Sequence, residues 1–354
     1  MFNIFSQNHS AFGLDISGSS LKIFDLANNK ETFSVRSYCD TPLPKGLIAS
    51  DMITDTATFN YLLKQTLEKP QFGRLQTNHA VVSLPESKSF VRVIQIPQMS
   101  DAEAENAIPF EAESFIPLPL DQVYLDWQKI GVIGDKMNIL IIASPKEFVE
   151  KYIGIVEKAG IKIVALEVES QSCHRAMTAP GGNETMLIVD LDDYRSSLIM
   201  VEDGNLQFTS TIPVAGSAFT EGIARSLGIS SAKAEMVKRK IGIANTTEYP
   251  NIKTALLPIL NNLTAEIKNI LKFHNEHSEK SATKILLTGG SAKLKNLVEY
   301  MTPQFSDMPE IVVGLANPWE HLPGLVSPPI EPYDALSYTT AIGLAERGMD
   351  FKLS

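Results

Sequence analysis

Two aspartates, Asp15 and Asp190, each close an apolar strand, and each is followed a few residues later by a serine-bearing strand. The segments read Phe12-Gly13-Leu14-Asp15-Ile16-Ser17-Gly18-Ser19-Ser20-Leu21-Lys22-Ile23 and Leu187-Ile188-Val189-Asp190-Leu191-Asp192-Asp193-Tyr194-Arg195-Ser196-Ser197-Leu198. A carboxylate at a strand end can hold a hydrated Mg2+, and the N–H groups and hydroxyls of a tight turn can cradle anionic oxygens. Two such hairpins, one opening each half of a chain, can grip a phosphate chain from both sides of a cleft.

Two further segments follow in the order a nucleotide site needs. Lys284-Ile285-Leu286-Leu287-Thr288-Gly289-Gly290-Ser291 reads as a buried strand running into a paired-glycine turn, and Ala292 to Met301 carries apolar residues at helical spacing. Glycines without a Cβ let the backbone lie against a flat base or ribose. Tyr338 to Glu346 is a helix of small residues, suited to packing closely on a neighbour.

The elements that must position these segments are legible in outline. Residues 11–38 alternate around turn signals as a β-meander does, and Asp55 to Lys69 is an amphipathic helix with Phe59, Leu62, Leu63 and Leu67 on one side. Residues 79–97 hold two strands. Ser100 or Asp101 caps a helix in which Pro109 is expected to cause a kink or break near Glu105. Ile116-Pro117-Leu118-Pro119-Leu120 is extended, a strand runs through Trp127, Asn138 to Ala143 is a buried strand, and Pro145 to Gly160 is a helix closed by its glycine. Val164 to Met177 is expected to be helical for most of its length, with Pro180-Gly181-Gly182 as a separator. Helices are also expected near Ala218 to Leu227, from Ser230 to Ile241 and from Leu256 to Glu279.

Composition narrows the function classes. The chain has 354 residues, 44% of them hydrophobic, and a net charge of −10 without a basic run, which argues against nucleic acid as a partner. The two cysteines, Cys39 and Cys173, show neither metal spacing nor a disulfide framework, as expected in a reducing compartment. No apolar stretch approaches about 18 residues, so membrane association is expected only through a partner.

On these residues the chain resembles the actin-like ATPase superfamily, and within it the type IV pilus assembly family PilM. Asp15 to Lys22 is similar to the first phosphate loop and Asp190 to Leu198 to the second. Gly289-Gly290 is similar to the adenosine loop, Glu235 and Lys238 to the Glu-x-x-Lys helix bordering base and ribose, and Ala341 to Ala345 to the second connecting helix. The most specific stretch is Ile108 to Asp126, an acidic helix followed by Ile-Pro-Leu-Pro-Leu and Val-x-x-Asp. The chain departs from the family's glycines at Ser17 and Asp192. Gly18 lets the first turn form one position later, and an Asp tolerates left-handed backbone, but a carboxylate at 192 beside Asp190 would repel phosphate unless Mg2+ or Arg195 offsets it.

The resemblance implies an α/β, actin-like (RNase H-like) two-lobed fold with a small inserted αβ domain. Residues 1–79 begin the first lobe, 80–165 form the insertion, 166–183 a connecting helix, 184–331 the second lobe, and 332–354 a helix returning to the first. It implies ATP with Mg2+ in the cleft between lobes, with Asp15 and Asp190 toward the metal. The implied contacts are Ser17, Gly18, Ser19, Ser20, Lys22, Asp192, Ser196, Gly216, Glu235, Lys238, Gly289, Gly290 and Ser291. Glu169 and Gln171 stand where the superfamily positions an attacking water, although both can equally be surface polar residues. At most a weak ATPase is expected.

The function so implied is a cytoplasmic scaffold of the type IV pilus or a related secretion machine, peripheral to the inner membrane. It would dock the cytoplasmic tail of a PilN-like membrane protein between the insertion and the first lobe, alongside other pilus assembly proteins and with self-association left open. The strands at 79–96, with Phe90, Val91 and Val93, are the candidate wall of that groove. The alternatives are an actin-fold small-molecule kinase, which lacks its Gly-Gly-Asp phrase here, and an FtsA-like filament-forming division protein.

Overall fold

The computed structural model describes residues 10–28, 32–179, 181–322, 324–325 and 328–350; of the expected separator, Pro180 lies outside them. In chain order come β1 (Phe12–Ile16), β2 (Ser20–Asn28), β3 (Phe33–Pro42), β4 (Ile48–Ala49), β5 (Met52–Ile53), α1 (Thr56–Glu68), β6 (Phe72–Gly73) and β7 (His79–Leu84). Next are β8 (Phe90–Pro97), α2 (Asp101–Glu113), β9 (Val123–Ile133), β10 (Lys136–Pro145), α3 (Lys146–Val156), β11 (Lys162–Val168) and α4 (Glu169–Met177). Then follow β12 (Met186–Leu191), β13 (Ser196–Glu202), β14 (Asn205–Ile212), α5 (Gly216–Leu227), α6 (Ser231–Ile241), α7 (Ile252–His277), β15 (Lys284–Thr288), α8 (Leu297–Met301), β16 (Val312–Leu315), α9 (Pro332–Ala335) and α10 (Thr339–Asp350). The described residues fall into two compact units, one from Met1–Ala176, Trp319–Ile330 and Thr340–Ser354, the other from Met177–Pro318 and Glu331–Thr339.

The first unit is built on a six-stranded sheet ordered β11-β7-β1-β2-β3-β6. β1 runs antiparallel to β2, with Asp15 opposite Lys22, and parallel to β7, with Leu14 opposite Val82. All five residues of β1 are buried, as a strand covered on both faces requires. The cover includes α10, whose small residues allow backbone to approach backbone. A Cβ at Gly13 would lie 2.3 Å from the carbonyl oxygen of Ala341, and one at Gly343 only 1.9 Å from that of Ser172 in α4.

Val164 to Val168 is a correction to the helix expected there: β11 pairs in parallel with β7, and the helix starts only at Glu169. A short apolar run bounded by polar residues has no periodicity to separate strand from helix, and the buried sheet edge decides.

Inside the expected insertion, β7 and β11 are strands of that six-stranded sheet. The elements sharing a core of their own are β8, α2, β9 and β10. The three strands lie antiparallel in the order β8-β10-β9, and their Ile94, Ile96, Val123, Met137, Ile139 and Ile141 close together with Ile108 of α2. Ser100 begins α2 with a reciprocal cap: its hydroxyl accepts from the Glu103 N–H, and the Glu103 carboxylate accepts from the Ser100 N–H at 2.9 Å. Pro109 does not break the helix, which runs unbroken from Asp101 to Glu113. The buried stripe Ala104, Ile108, Ala112 stays on the sheet, so the proline costs one backbone bond without interrupting the packed face.

In the second unit the strand order is β16-β15-β12-β13-β14, with Asp190 opposite Ser197 in β13 and beside Thr288 in β15. α5, α6 and α7 supply the core over this sheet through Phe219, Ile223, Val237, Leu256, Leu260, Leu263, Ile267 and Leu271. The last five recur three to four apart along α7, the spacing of one buried helix face. Ala292 to Met301 is a single 3-10 turn, Gly290–Lys293, followed by the five-residue α8. Among the described residues no helix is long and apolar enough to cross a membrane.

Candidate functional site

In the first unit the expected phosphate loop is the β1–β2 turn. The Ser17 N–H donates to the Ser20 carbonyl at 3.0 Å, and the Ser17 hydroxyl donates to that same carbonyl at 3.1 Å while accepting from the Ser20 N–H at 3.2 Å. The Leu43 N–H holds the Ser19 carbonyl at 2.8 Å. Gly18 and Ser19 form the half-buried tip of a turn ordered by its own hydroxyls. Asp15 and Lys22 face each other across the strands at 3.6 Å, both buried, so each already has an opposite charge as partner.

Ser50, Asp51, Asp203 and Asn296 are the described non-glycine residues with left-handed backbone. Ser17 and Asp192 are not among them. Replacing the family's glycines therefore strains neither loop, and Gly18 is not needed in a left-handed conformation.

Glu169 opens α4 and is 5% exposed, which removes the surface reading for it. Its carboxylate accepts the Glu86 N–H at 3.1 Å, and the Glu86 carboxylate accepts the Ser170 N–H at 3.3 Å. Gln171 is half-buried two positions on, about 200° around the helix, so the two expected water-positioning residues do not face one another. Above the same strand ends, the buried Tyr152 hydroxyl donates to the Ser83 carbonyl at 3.0 Å, and the Ser83 hydroxyl accepts the Ile16 N–H at 3.0 Å. Burial, then the charges of Glu169 and Asp15, push the Tyr152 phenol well above its ordinary pKa.

In the second unit, Asp190, Asp192, Gly216, Gly289 and Ser291 converge. A Cβ on Gly289 would lie 2.4 Å from the Asp190 Oδ1, and its φ is +84°, so glycine is required there twice over. The Asp192 carbonyl accepts both the Gly216 N–H and the Ser291 hydroxyl, each at 2.9 Å. At Gly290 an added Cβ would meet nothing nearer than the Ser337 Oγ at 3.8 Å, leaving this face of the turn open.

Two expectations change here. Ser196 is fully buried and donates its hydroxyl to the Val214 carbonyl, which ties β13 to the segment before α5 and leaves no surface for a phosphate. Lys238 is also buried. Its ammonium reaches the Gly216 carbonyl at 2.9 Å, the Thr220 Oγ1 at 2.9 Å and the Glu235 Oε2 at 2.6 Å, which engages all three donors. Glu235 is held by Lys238, Thr220 and Arg239. Burial opposes its ionisation, but those hydrogen bonds and the Lys238 charge outweigh it and set its pKa at about 2. The Glu-x-x-Lys pair is thus a clamp between α5 and α6 before any ligand is considered.

Sequence reasoning did not single out Glu86, Ser83, Tyr152, Thr220 or Asp193. Asp193 stands 3.1 Å from where a Gly216 Cβ would be, and burial raises its pKa against the pull of Lys238. Thr220 carried the one available signal, its place a helical turn after Gly216. Among the described residues no group of three or more His, Cys, Asp or Glu side chains is arranged to hold a metal alone.

The structure superposes on Spiroplasma citri MreB 5 bound to AMPPNP with a TM-score of 0.55 at 13% identity, covering 95% of each chain. The fold is actin-like. A stronger likeness is to a chain of the PilM-PilN type IV pilus biogenesis complex: TM-score 0.82 and 26% identity, over 97% of this chain and 100% of that one. The family described as type IV pilus assembly protein PilM matches residues 13–349, and the chain belongs to it. Cell division protein FtsA of Escherichia coli (strain K12) is 24% identical over 255 residues, 64% of this chain and 59% of that protein. The chain thus spans about three-fifths of the length of the curated relatives it matches.

Proposed function

We propose that this protein is a scaffold of the type IV pilus inner-membrane assembly complex that captures the cytoplasmic tail of a PilN-like membrane protein. The observation carrying this is the likeness over 97% of the chain to a component of the PilM-PilN complex. Membrane association would then come through that partner. Docking uses the insertion; of the expected wall, Val91 is buried, Phe90 packs on the insertion's own core and Val93 is half-buried. The large apolar side chains this segment leaves exposed are Phe110, Phe115, Leu118, Tyr124 and Val132, with β9 as the end strand of its sheet. An extended peptide gains main-chain hydrogen bonds on such an edge and places alternate side chains against such anchors. Calorimetric titration of a synthetic tail peptide into the full chain tests this; no heat of binding at 100 μM peptide, on the order of the weakest useful affinity, would overturn it.

The same reading includes nucleotide. The Gly18-Ser19 tip and the open turn at Gly290 suit phosphate and base in chemistry, and Asp15 or Asp190 would hold Mg2+ together with phosphate oxygens and water. Bound Mg2+ would supply positive charge to the phosphates. Lys22, paired to Asp15, orients that carboxylate, while the missing side chain at Gly289 leaves room for the Asp190 carboxylate. Binding in the micromolar range or weaker is expected, with turnover at most slow. Titration with Mg-ATP and with AMPPNP tests it.

A further inference from the structure

The reciprocal contact between Glu86 and Glu169 has no part in gripping phosphate, yet it stands between the two activities proposed above. Glu86 opens a 3-10 turn, Glu86–Lys88, that joins β7 of the six-stranded sheet to β8 of the insertion. Both strands that cross into the insertion are clamped at that point: the Ser89 and Ser144 hydroxyls bond to each other at 2.8 Å, the first just before β8 and the second near the end of β10. The Ser87 hydroxyl donates to Asp51, in a hairpin turn whose Ser50 and Asp51 both hold left-handed backbone. A tilt of the insertion therefore cannot be absorbed by slack at its base and acts on residues 85–89.

From that turn the contacts run toward the phosphate loop. Glu86 exchanges hydrogen bonds with the first turn of α4, at 3.1 Å to the Glu169 carboxylate and 3.3 Å from the Ser170 N–H, and both carboxyl groups are no more than 5% exposed. Ser83, three residues before Glu86, holds the Ile16 N–H next to Asp15 and the Tyr152 hydroxyl of α3. Each buried carboxylate is held by a backbone N–H across this joint, Glu169 by that of Glu86 and Glu86 by that of Ser170, so a displacement of the turn is passed to the start of α4.

We propose that Glu86 is a positioning residue that couples the insertion to the nucleotide loop, so that a peptide docked on the insertion changes the affinity for nucleotide, and nucleotide that for peptide, by the same factor. The inference rests on the tail-and-nucleotide reading above. Linkage makes the two factors equal in any case; what a merely structural role for Glu86 would not produce is their joint loss on substitution with each ligand's own affinity kept.

The experiment measures AMPPNP affinity of the full chain with and without saturating tail peptide, and peptide affinity with and without AMPPNP. Equal factors of roughly fivefold or more are expected in the wild type. In Glu86→Ala both factors should fall to within about twofold of unity while each ligand alone binds as before, and Glu86→Gln, which keeps an acceptor for the Ser170 N–H, should retain them. If Glu86→Ala does not fold, hydrogen exchange of the Glu86 and Ser170 amides in the wild type decides: each ligand should change it. Two ligands that bind independently, undiminished coupling in Glu86→Ala, or exchange indifferent to both ligands would each overturn the link alone. Failure of either ligand to bind would overturn the reading beneath it.

Discussion

The Lys238 ammonium sits 2.6 Å from the Glu235 carboxylate and 2.9 Å from the Gly216 carbonyl, so one buried charge closes α6 onto the first residue of α5. Lys238→Met should lower stability by about 3 kcal/mol, because it leaves Glu235 half-buried without its main partner and the Gly216 carbonyl unpaired. Glu235→Gln in the same chain should recover part of that loss. Urea melts of the wild type and these two variants decide whether the pair is a clamp or an incidental contact.

The same pair sets an acid limit. Glu235 is pulled from an ordinary value of 4.5 to about 2 in the folded chain, so its contribution is complete above about pH 4.5 and is lost as pH falls toward 2. Partial exposure screens it, and about 1–2 kcal/mol is expected. The difference between wild type and Glu235→Gln should shrink over that window in acid titrations followed by circular dichroism.

Asp25 behaves in the opposite sense. It is fully buried in β2, both carboxylate oxygens lack a hydrogen-bond partner, and Arg36 stands 3.9 Å away. Burial lifts its pKa from 3.8 to about 6 despite the arginine. Between about pH 4 and about pH 6 the unfolded chain has released this proton and the folded chain keeps it, so this group's contribution to stability falls as pH rises through that window. Asp25→Asn should flatten the dependence by about 2–3 kcal/mol, read from chemical denaturation at both ends.

Asp192→Gly tests the charge argument at the second loop. The interactions of residue 192 that shape the turn are made by its backbone: the carbonyl accepts from Gly216 and Ser291, and the N–H donates to the Arg195 carbonyl at 3.2 Å. Glycine keeps them all. Removing the side-chain carboxylate should tighten Mg-ATP binding by about 1 kcal/mol, roughly fivefold. Unchanged or weaker binding by calorimetry would show that repulsion from 192 is not what limits affinity.

The tail prediction concerns exposed anchors. Phe110 is 76% exposed on α2, and Phe110→Ser combined with Tyr124→Ser should weaken peptide binding by about 2 kcal/mol while leaving the melting temperature within a degree or so. Val91→Ser, at a buried position, should instead lower stability. If only the buried substitution affected binding, the docking face would lie elsewhere.

The hairpins, caps and glycine turns were legible because each depends on neighbours in sequence: Asp15 opposite Lys22 follows from a short turn, and the Ser100 cap from Glu103 three residues on. What could not be read depends on distant partners. Nothing near Pro85-Glu86 announces that this carboxylate meets Ser170, 84 positions later. Ser196 and Lys238 match the family's motif in type and place, yet burial and the carbonyls of Val214 and Gly216 determine what they do. Val164 to Val168 took its form from β7, which no local pattern encodes.

The close fit of α10 on β1 has a consequence for how the chain is made. Gly13, whose missing side chain admits that contact, and Ala341, whose carbonyl it lets approach, are 328 positions apart. At about 5–20 residues per second, a ribosome needs roughly 20–60 seconds to travel between them. Throughout that interval the apolar strand Phe12–Ile16 has emerged and its helical cover has not been synthesised, whereas β12 to β16 arise from one contiguous stretch and can pair as they appear. The unit translated first is the one completed last, and its nascent form is the stage at which this protein depends most on protection from aggregation.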